Sequence, residues 1–247
     1  MQKETARPRN LKIAGIDSPA GYDPTQVDDQ SEFSAEIHRL FSRIRPRKLI
    51  ETGTYHGNGT TRIIARAIKE LEIEDSIFYS IEINPRNCGI AAENLKTAGL
   101  MDCVRIVNGL SIPRDRLPTL AEIREHTVDK VGDDDIFVDH QPSDRAELYY
   151  RETDFSGLPD DLLGRCLREF GGRPDFVLLD SGGHVGYLEF ETLIDNLEAP
   201  TYIALDDIFH IKHHGSFKRM QSDPRFEIWV TSREKFGFCI ARFNPKP

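Results

Sequence analysis

"LIETGTYHGNGTT", Leu49 to Thr61, decides the fold. A β-type run ends at Gly53, a short polar loop follows, and a helical pattern begins at Thr60. In open parallel sheets, ligands bind where strands end at their carboxyl edge. Gly53 and Gly57 permit positive φ and let the backbone approach a ligand closely. The glycines follow Gly53-xxx-Gly57-x-Gly59, which is not the GxGxxG spacing that cradles a pyrophosphate. Glu51 stands just before them. A carboxylate there repels a phosphate and attracts an ammonium or sulfonium. The loop therefore suits a cationic nucleoside better than a dinucleotide.

Outward from this loop, strands and helices alternate. Ser31 is a helix cap for residues 32–44, where Phe33, Ile37, Leu40, Phe41 and Ile44 recur at helical spacing, and Pro46 ends the run. "KLIET" (48–52) reads as a strand, residues 60–71 as a helix, "SIFYSIEI" (76–83) as a strand, 85–99 as a helix with Pro at its start and Gly at its end, and "CVRIVNG" (103–109) as a third strand. The pattern resumes with "PDFVLLD" (174–180), a helix over 186–197, "TYIALDD" (201–207) and a short helix near 214–221. "RFEIWVTS" and "FGFCIARF", joined by "REK", read as an antiparallel hairpin at the sheet edge. The expected fold is α/β: a Rossmann-like, doubly wound, mostly parallel sheet with a C-terminal antiparallel hairpin.

Two segments stand outside this pattern. Residues 1–30 are polar and carry Pro8, Pro19, Gly21 and Pro24, which reads as a loose arm or lid. Residues 112–172 are too long for a plain crossover and read as an insertion, with helical stretches at 117–126 and near 158–170. The net charge of the chain is -9, and residues 112–161 hold fourteen acids against six bases. Nearly all the excess negative charge therefore sits in one segment. A surface of that sign disfavours nucleic acid. An acidic lid favours a cationic or polyhydroxylated substrate such as an amino sugar; a solvated loop or dimer contact is the plainer reading, and the hairpin is a second candidate homodimer surface. Tyr149, Tyr150 and Phe155 exceed what solvation alone needs. The composition, 38% hydrophobic and 30% charged, fits a soluble globular protein. With no membrane-length apolar run and no signal-peptide pattern at the N-terminus, the expected compartment is the cytoplasm, without membrane partners. Cys88, Cys103, Cys166 and Cys239 form no CxxC pair, so neither a zinc site nor a disulfide framework is expected.

Glu82 ends the second strand, about thirty residues after Glu51. A carboxylate there can accept both hydroxyls of a ribose. With that acid in place, "ETGTYHG" resembles the E-x-G-x-Y-x-G loop of class I S-adenosylmethionine-dependent methyltransferases, in the version seen in metal-dependent, catechol- and caffeoyl-CoA-type O-methyltransferases. "SIEINP" (80–85) is similar to that family's ribose-holding motif, and "VNGLS" (107–111) sits where the family has a Gly and a small polar residue near the adenine. The resemblance covers residues 47–111 and 174–207. It implies S-adenosylmethionine as cofactor, with Glu51, Gly53, Thr54, Tyr55 and Gly57 in the loop, Glu82 and Ile83 after the second strand, Gly109 and Ser111 after the third, and Asp180 after the fourth.

Asp180 also belongs to a second constellation. It ends the fourth expected strand, and Asp206 and Asp207 end the fifth. Three clustered carboxylates repel one another unless something positive sits between them. A hard divalent cation such as Mg²⁺ is the simplest answer. The resemblance implies the same: Asp180, Asp206 and Asp207 match the family's metal-holding positions, and the reaction is methyl transfer to a hydroxyl of a small molecule. One feature departs from it. Where catechol-type members carry a Lys base, this chain has Gly183, and His184 follows. His184, His210 and His213 are the candidate bases, with His214 beside them. The missing Lys counts against catechol-like substrates. Alternatives are the same fold and metal site used for hydroxylation or another natural-product or sugar modification, a nicotinamide-dependent oxidoreductase, and a non-catalytic nucleoside-binding module.

Overall fold

The computed structural model describes residues 29–119, 121, 154–182, 185–210 and 212–245. The chain runs α1 (Glu32–Ile44), β1 (Lys48–Thr52), α2 (Thr60–Glu70), β2 (Ile77–Glu82), α3 (Pro85–Thr97), β3 (Arg105–Asn108), α4 (Leu162–Glu169), β4 (Phe176–Leu179), α5 (Val185–Asn196), β5 (Thr201–Asp206), α6 (His214–Ser222), β6 (Phe226–Ser232) and β7 (Phe238–Phe243). The seven strands form one sheet in the order β3-β2-β1-β4-β5-β7-β6. β1 to β5 are mutually parallel, and β7 runs antiparallel between β5 and β6. The expected hairpin is present, but its second strand turns inward and its first forms the edge.

Alternation along each strand explains the layering. Leu49, Phe176, Leu178 and Ala204 face one core with Phe33, Ile37, Ile64 and Leu95 of α1–α3. Ile50, Val177, Leu179, Ile203 and Leu205 face the other with Leu163, Leu167, Phe190 and Phe217 of α4–α6. Strands covered on both faces tend to continuous apolar runs, as in Phe176–Leu179 of β4. Local signals set the helix ends. The Ser31 side chain accepts the Ser34 N–H at 3.1 Å, and Arg45 takes a left-handed conformation before Pro46.

Leu162–Glu169, with Leu162, Leu163, Cys166 and Leu167 buried, is the crossover helix from β3 to β4. It is the helical stretch expected near 158–170. The described chain on either side of residues 120–153 is clasped together. Leu110 N–H donates to Pro159 O, Leu163 N–H to Ser111 O, and the Arg114 guanidinium to Phe155 O at 2.6 Å and Leu158 O at 2.7 Å. The 117–126 helix lies almost wholly outside the described residues, as do the 1–30 arm up to residue 28, and Tyr149 and Tyr150. Among the described residues no helix is long and apolar enough to cross a membrane.

The chain leaves β1 for β2 and β3 on one side, then returns to place β4 on the other. The carboxyl ends of β1 and β4 therefore flank a crevice, the position where doubly wound sheets bind ligands.

Candidate active site

At the carboxyl end of β1 the loop makes two turns that only glycine accommodates easily. Gly53 has φ 92°, and a Cβ there would lie 2.4 Å from the Asp180 carbonyl oxygen. Gly57 has φ 70°, and its N–H closes a turn onto Thr54 O at 2.9 Å. Thr54 is buried and its hydroxyl meets Ser80 Oγ at 2.6 Å. Tyr55 is exposed, with its ring stacked on His56 at 3.8 Å.

Glu82 is 6% exposed at the end of β2. One of its oxygens accepts the Tyr55 N–H at 2.6 Å and the other the Asn84 N–H at 2.8 Å. Burial raises the Glu82 pKa, and these amides partly offset it. Ile83 follows, half-buried, its carbonyl accepting from Asn108 Nδ2 at 3.0 Å. Gly109 and Ser111 lie beyond β3 under the 159–163 segment, and the Ser111 side chain bonds the buried Glu189. Glu189, on α5, also accepts from Thr52 Oγ1 at 2.7 Å and ties the strand ends together.

Glu51 corrects an expectation. It is fully buried, and its oxygens accept three hydroxyls: Thr60 at 2.7 Å, Thr61 at 2.7 Å and Ser80 at 2.5 Å. It braces the loop from beneath and does not offer those oxygens to a cationic ligand. Burial pushes its carboxyl from 4.5 up to about 7, against the three hydroxyls and with help from the Asp180 charge. The sign follows from linkage. The folded state holds this proton more tightly than the unfolded chain, so the stability it contributes is complete below pH 4.5 and is lost as pH rises through about 7. The full swing is about 3 kcal/mol. Glu51→Gln keeps a hydrogen-bonding group and removes the titration. Its melting temperature relative to the parent is expected to rise by roughly 6–12 °C between pH 4.5 and 8. A difference that stays flat with pH in thermal unfolding rejects this.

Thr60 Oγ1 also lies 3.3 Å from Asp180 Oδ2, so hydroxyls link the glycine loop to the acids of β4 and β5. Asp180, Asp206 and Asp207 each offer an oxygen, and these atoms all lie within 4.8 Å of one another. Burial, then the neighbouring carboxylates, raises Asp206 well above the ordinary range. Burial also raises Asp180, against the Lys212 charge. The sequence reading did bring the three carboxylates together, but it missed Lys212. Its Nζ donates to Asp180 Oδ1 and, at 3.0 Å, to Asp207 Oδ2. Asp207 has φ 56°, and the turn that follows, with His210 N–H on Asp207 O, folds Lys212 back over the acids. Burial alone would lower the Lys212 ammonium, but Asp180, Asp207 and Asp206 together hold it above its ordinary value.

The histidines separate. His210 is half-buried on the turn beyond Asp207, with Nδ1 3.3 Å from the Lys212 N–H. His214 Nδ1 lies 3.3 Å from Ile208 O. His213 is fully buried, and its ring occupies the space a Cβ on Gly186 would need. Burial, then the Lys212 and His210 charges, pushes its pKa well down, so it is a neutral core group and not a substrate-facing base. His184 lies outside the described residues.

No family model matches the sequence. Catechol O-methyltransferase of Sus scrofa is 30% identical over 181 residues, covering 64% of this chain and 83% of that protein. The fold is similar to an O-methyltransferase from Bacillus cereus, solved in complex with S-adenosylhomocysteine (TM-score 0.53, 16% identity, 92% of this chain and 84% of that one). It is also similar to the O-methyltransferase TomG of Streptomyces achromogenes, involved in tomaymycin synthesis and solved with S-adenosylmethionine (TM-score 0.50, 14% identity, 86% and 79%). The structures share the fold, and the porcine enzyme shares enough sequence over most of its length to carry kinship. With its sheet order, its β1 glycine loop and the acid ending β2, the chain belongs to the class I S-adenosylmethionine-dependent O-methyltransferases, in the family that includes catechol O-methyltransferase.

Proposed function

We propose that the protein methylates a hydroxyl of a small molecule, with a divalent cation held by Asp180, Asp206 and Asp207. The observation that carries this is the set of three carboxylates at the ends of β4 and β5, linked through Thr60 to the glycine loop. Their donor chemistry fits a hard cation: oxygen ligands, net negative charge and positions on two adjacent strands. Such an ion acts as a Lewis acid that lowers the pKa of a bound hydroxyl.

The chain's own residues supply position. In this reading the loop from Gly53 to Gly57 lies along the cofactor, and Glu82 accepts the ribose hydroxyls while its amide partners fix its carboxylate. When bound, S-adenosylmethionine would supply the methyl group, and these residues would hold it in register with the acceptor hydroxyl, which supplies much of the rate. His210 and His184 take the role of proton acceptor for the substrate hydroxyl. The acid-rich segment between residues 112 and 161 selects the substrate, as added segments on shared folds commonly do.

The test is release of S-adenosylhomocysteine from S-adenosylmethionine across a panel of phenols, sugars and amino sugars, in chelator and in Mg²⁺. The reading expects an acceptor-dependent rate that Mg²⁺ raises and that His210→Gln lowers about 100-fold. An equal rate in chelator rejects the cation. An unaffected His210→Gln leaves His184 as the base.

A further inference from the structure

Lys212 has no place in the family resemblance, yet it is buried to 8% side-chain exposure among the three acids. Its Nζ donates to one oxygen of Asp180, after β4, and one of Asp207, after the neighbouring β5. An ammonium in that position meets the same need as a metal, a positive charge between carboxylates. It meets it in part, since three carboxylates face one ammonium.

We propose that Lys212 is an internal counter-ion that competes with the divalent cation for Asp180 and Asp207, and so sets how tightly the site loads. The proposal rests on the reading of the three acids as a cation seat. Two positive charges sharing the same pair of oxygens repel at short range. Loading therefore requires the ammonium to give up Asp180 and Asp207. Lys212 itself sits on a turn and not within a helix or strand. Among the described residues Nζ donates to Asp180 and Asp207 but not to Asp206, so Asp206 stands as the ligand an ion can engage first.

A competing counter-ion and a merely structural lysine differ in what removal does to metal affinity. Mn²⁺ is titrated into the metal-stripped full-length protein, into Lys212→Met and into Lys212→Gln, and free Mn²⁺ is followed by its electron paramagnetic resonance signal. Thermal unfolding of the same proteins is recorded in chelator and in Mg²⁺. The expected result is at least about tenfold tighter Mn²⁺ binding in both variants, because the ion no longer displaces a cation. In chelator the variants should melt below the parent, since unneutralised carboxylates repel, and Mg²⁺ should raise their melting temperature more than the parent's. If Lys212→Met does not fold in chelator, Lys212→Gln, which keeps a donor for Asp207, makes the same comparison. Equal or weaker Mn²⁺ binding in the folded variants, abolished by Asp206→Asn, overturns the competition and leaves the cation seat standing. No Mn²⁺ binding by any of the proteins overturns both.

Discussion

Replacing Glu82 with alanine is expected to weaken S-adenosylhomocysteine binding by at least about 100-fold, while Glu82→Gln retains part of the affinity. A hydrogen bond to a charged acceptor contributes about 1.5–3 kcal/mol, and a ribose presents two hydroxyls to one carboxylate. The loss has a second source. Glu82 also accepts the Tyr55 and Asn84 amides, so it holds the glycine loop against the end of β2. Alanine leaves those N–H groups without their acceptor and loosens the loop that faces the cofactor. Calorimetric titration of both variants checks this. Undiminished affinity in Glu82→Ala places the nucleoside elsewhere on the sheet edge.

Asp206→Asn is expected to separate stability from activity. The Asp206 carboxyl is raised well above its ordinary range by burial and by the charges of Asp180 and Asp207, so the folded protein carries it at a disadvantage. The raised pKa gives the direction: this disadvantage grows as pH rises above the ordinary carboxylate range. Asparagine keeps the shape and removes the charge. At neutral pH and without divalent cation the variant should melt about 2–4 °C above the parent, the equivalent of about 1 kcal/mol in a domain of this size. Turnover in Mg²⁺ should fall about 1000-fold, because a neutral amide oxygen is a poorer ligand for a hard ion. Active sites commonly keep such destabilising groups where function needs them. A variant that is less stable in chelator and fully active contradicts both halves.

Much of this arrangement was legible in the sequence. "PDFVLLD" carries the unbroken apolar run of a strand covered on both faces, and "KLIET" and "SIFYSIEI" are short β-rich stretches that alternate with helical patterns. Asp180, Asp206 and Asp207 were legible because a residue at a strand end is positioned by topology alone. Glu82 was legible for the same reason. What escaped depends on turns. Lys212 reaches the acids only because Asp207 adopts positive φ and the next residues reverse direction, and nothing in "DDIFHIKHHG" specifies that path. The same turn drives His213 into the core and leaves His210 half-buried, so three histidines of equal appearance acquire different surroundings. Glu51 stood at a strand end too, but its rotamer, set by Thr60, Thr61 and Ser80, aims it at the fold and away from a ligand. In the C-terminal pair, either strand could have bordered β5. The sequence contains the hairpin but not which strand lies inward. The helical stretch expected near 158–170 is Leu162–Glu169, and its role as the crossover from β3 to β4 follows from the sheet order, which the sequence does not state.

In the proposed function the loop from Gly53 to Gly57, closed by Glu82, seats a sulfonium nucleoside. Its most direct test is calorimetric titration of S-adenosylhomocysteine into metal-stripped protein, repeated in Mg²⁺. Micromolar binding at one site in both conditions is the expected result, because none of the residues assigned to the ribose belongs to the cation seat. Absence of binding in both conditions contradicts the account.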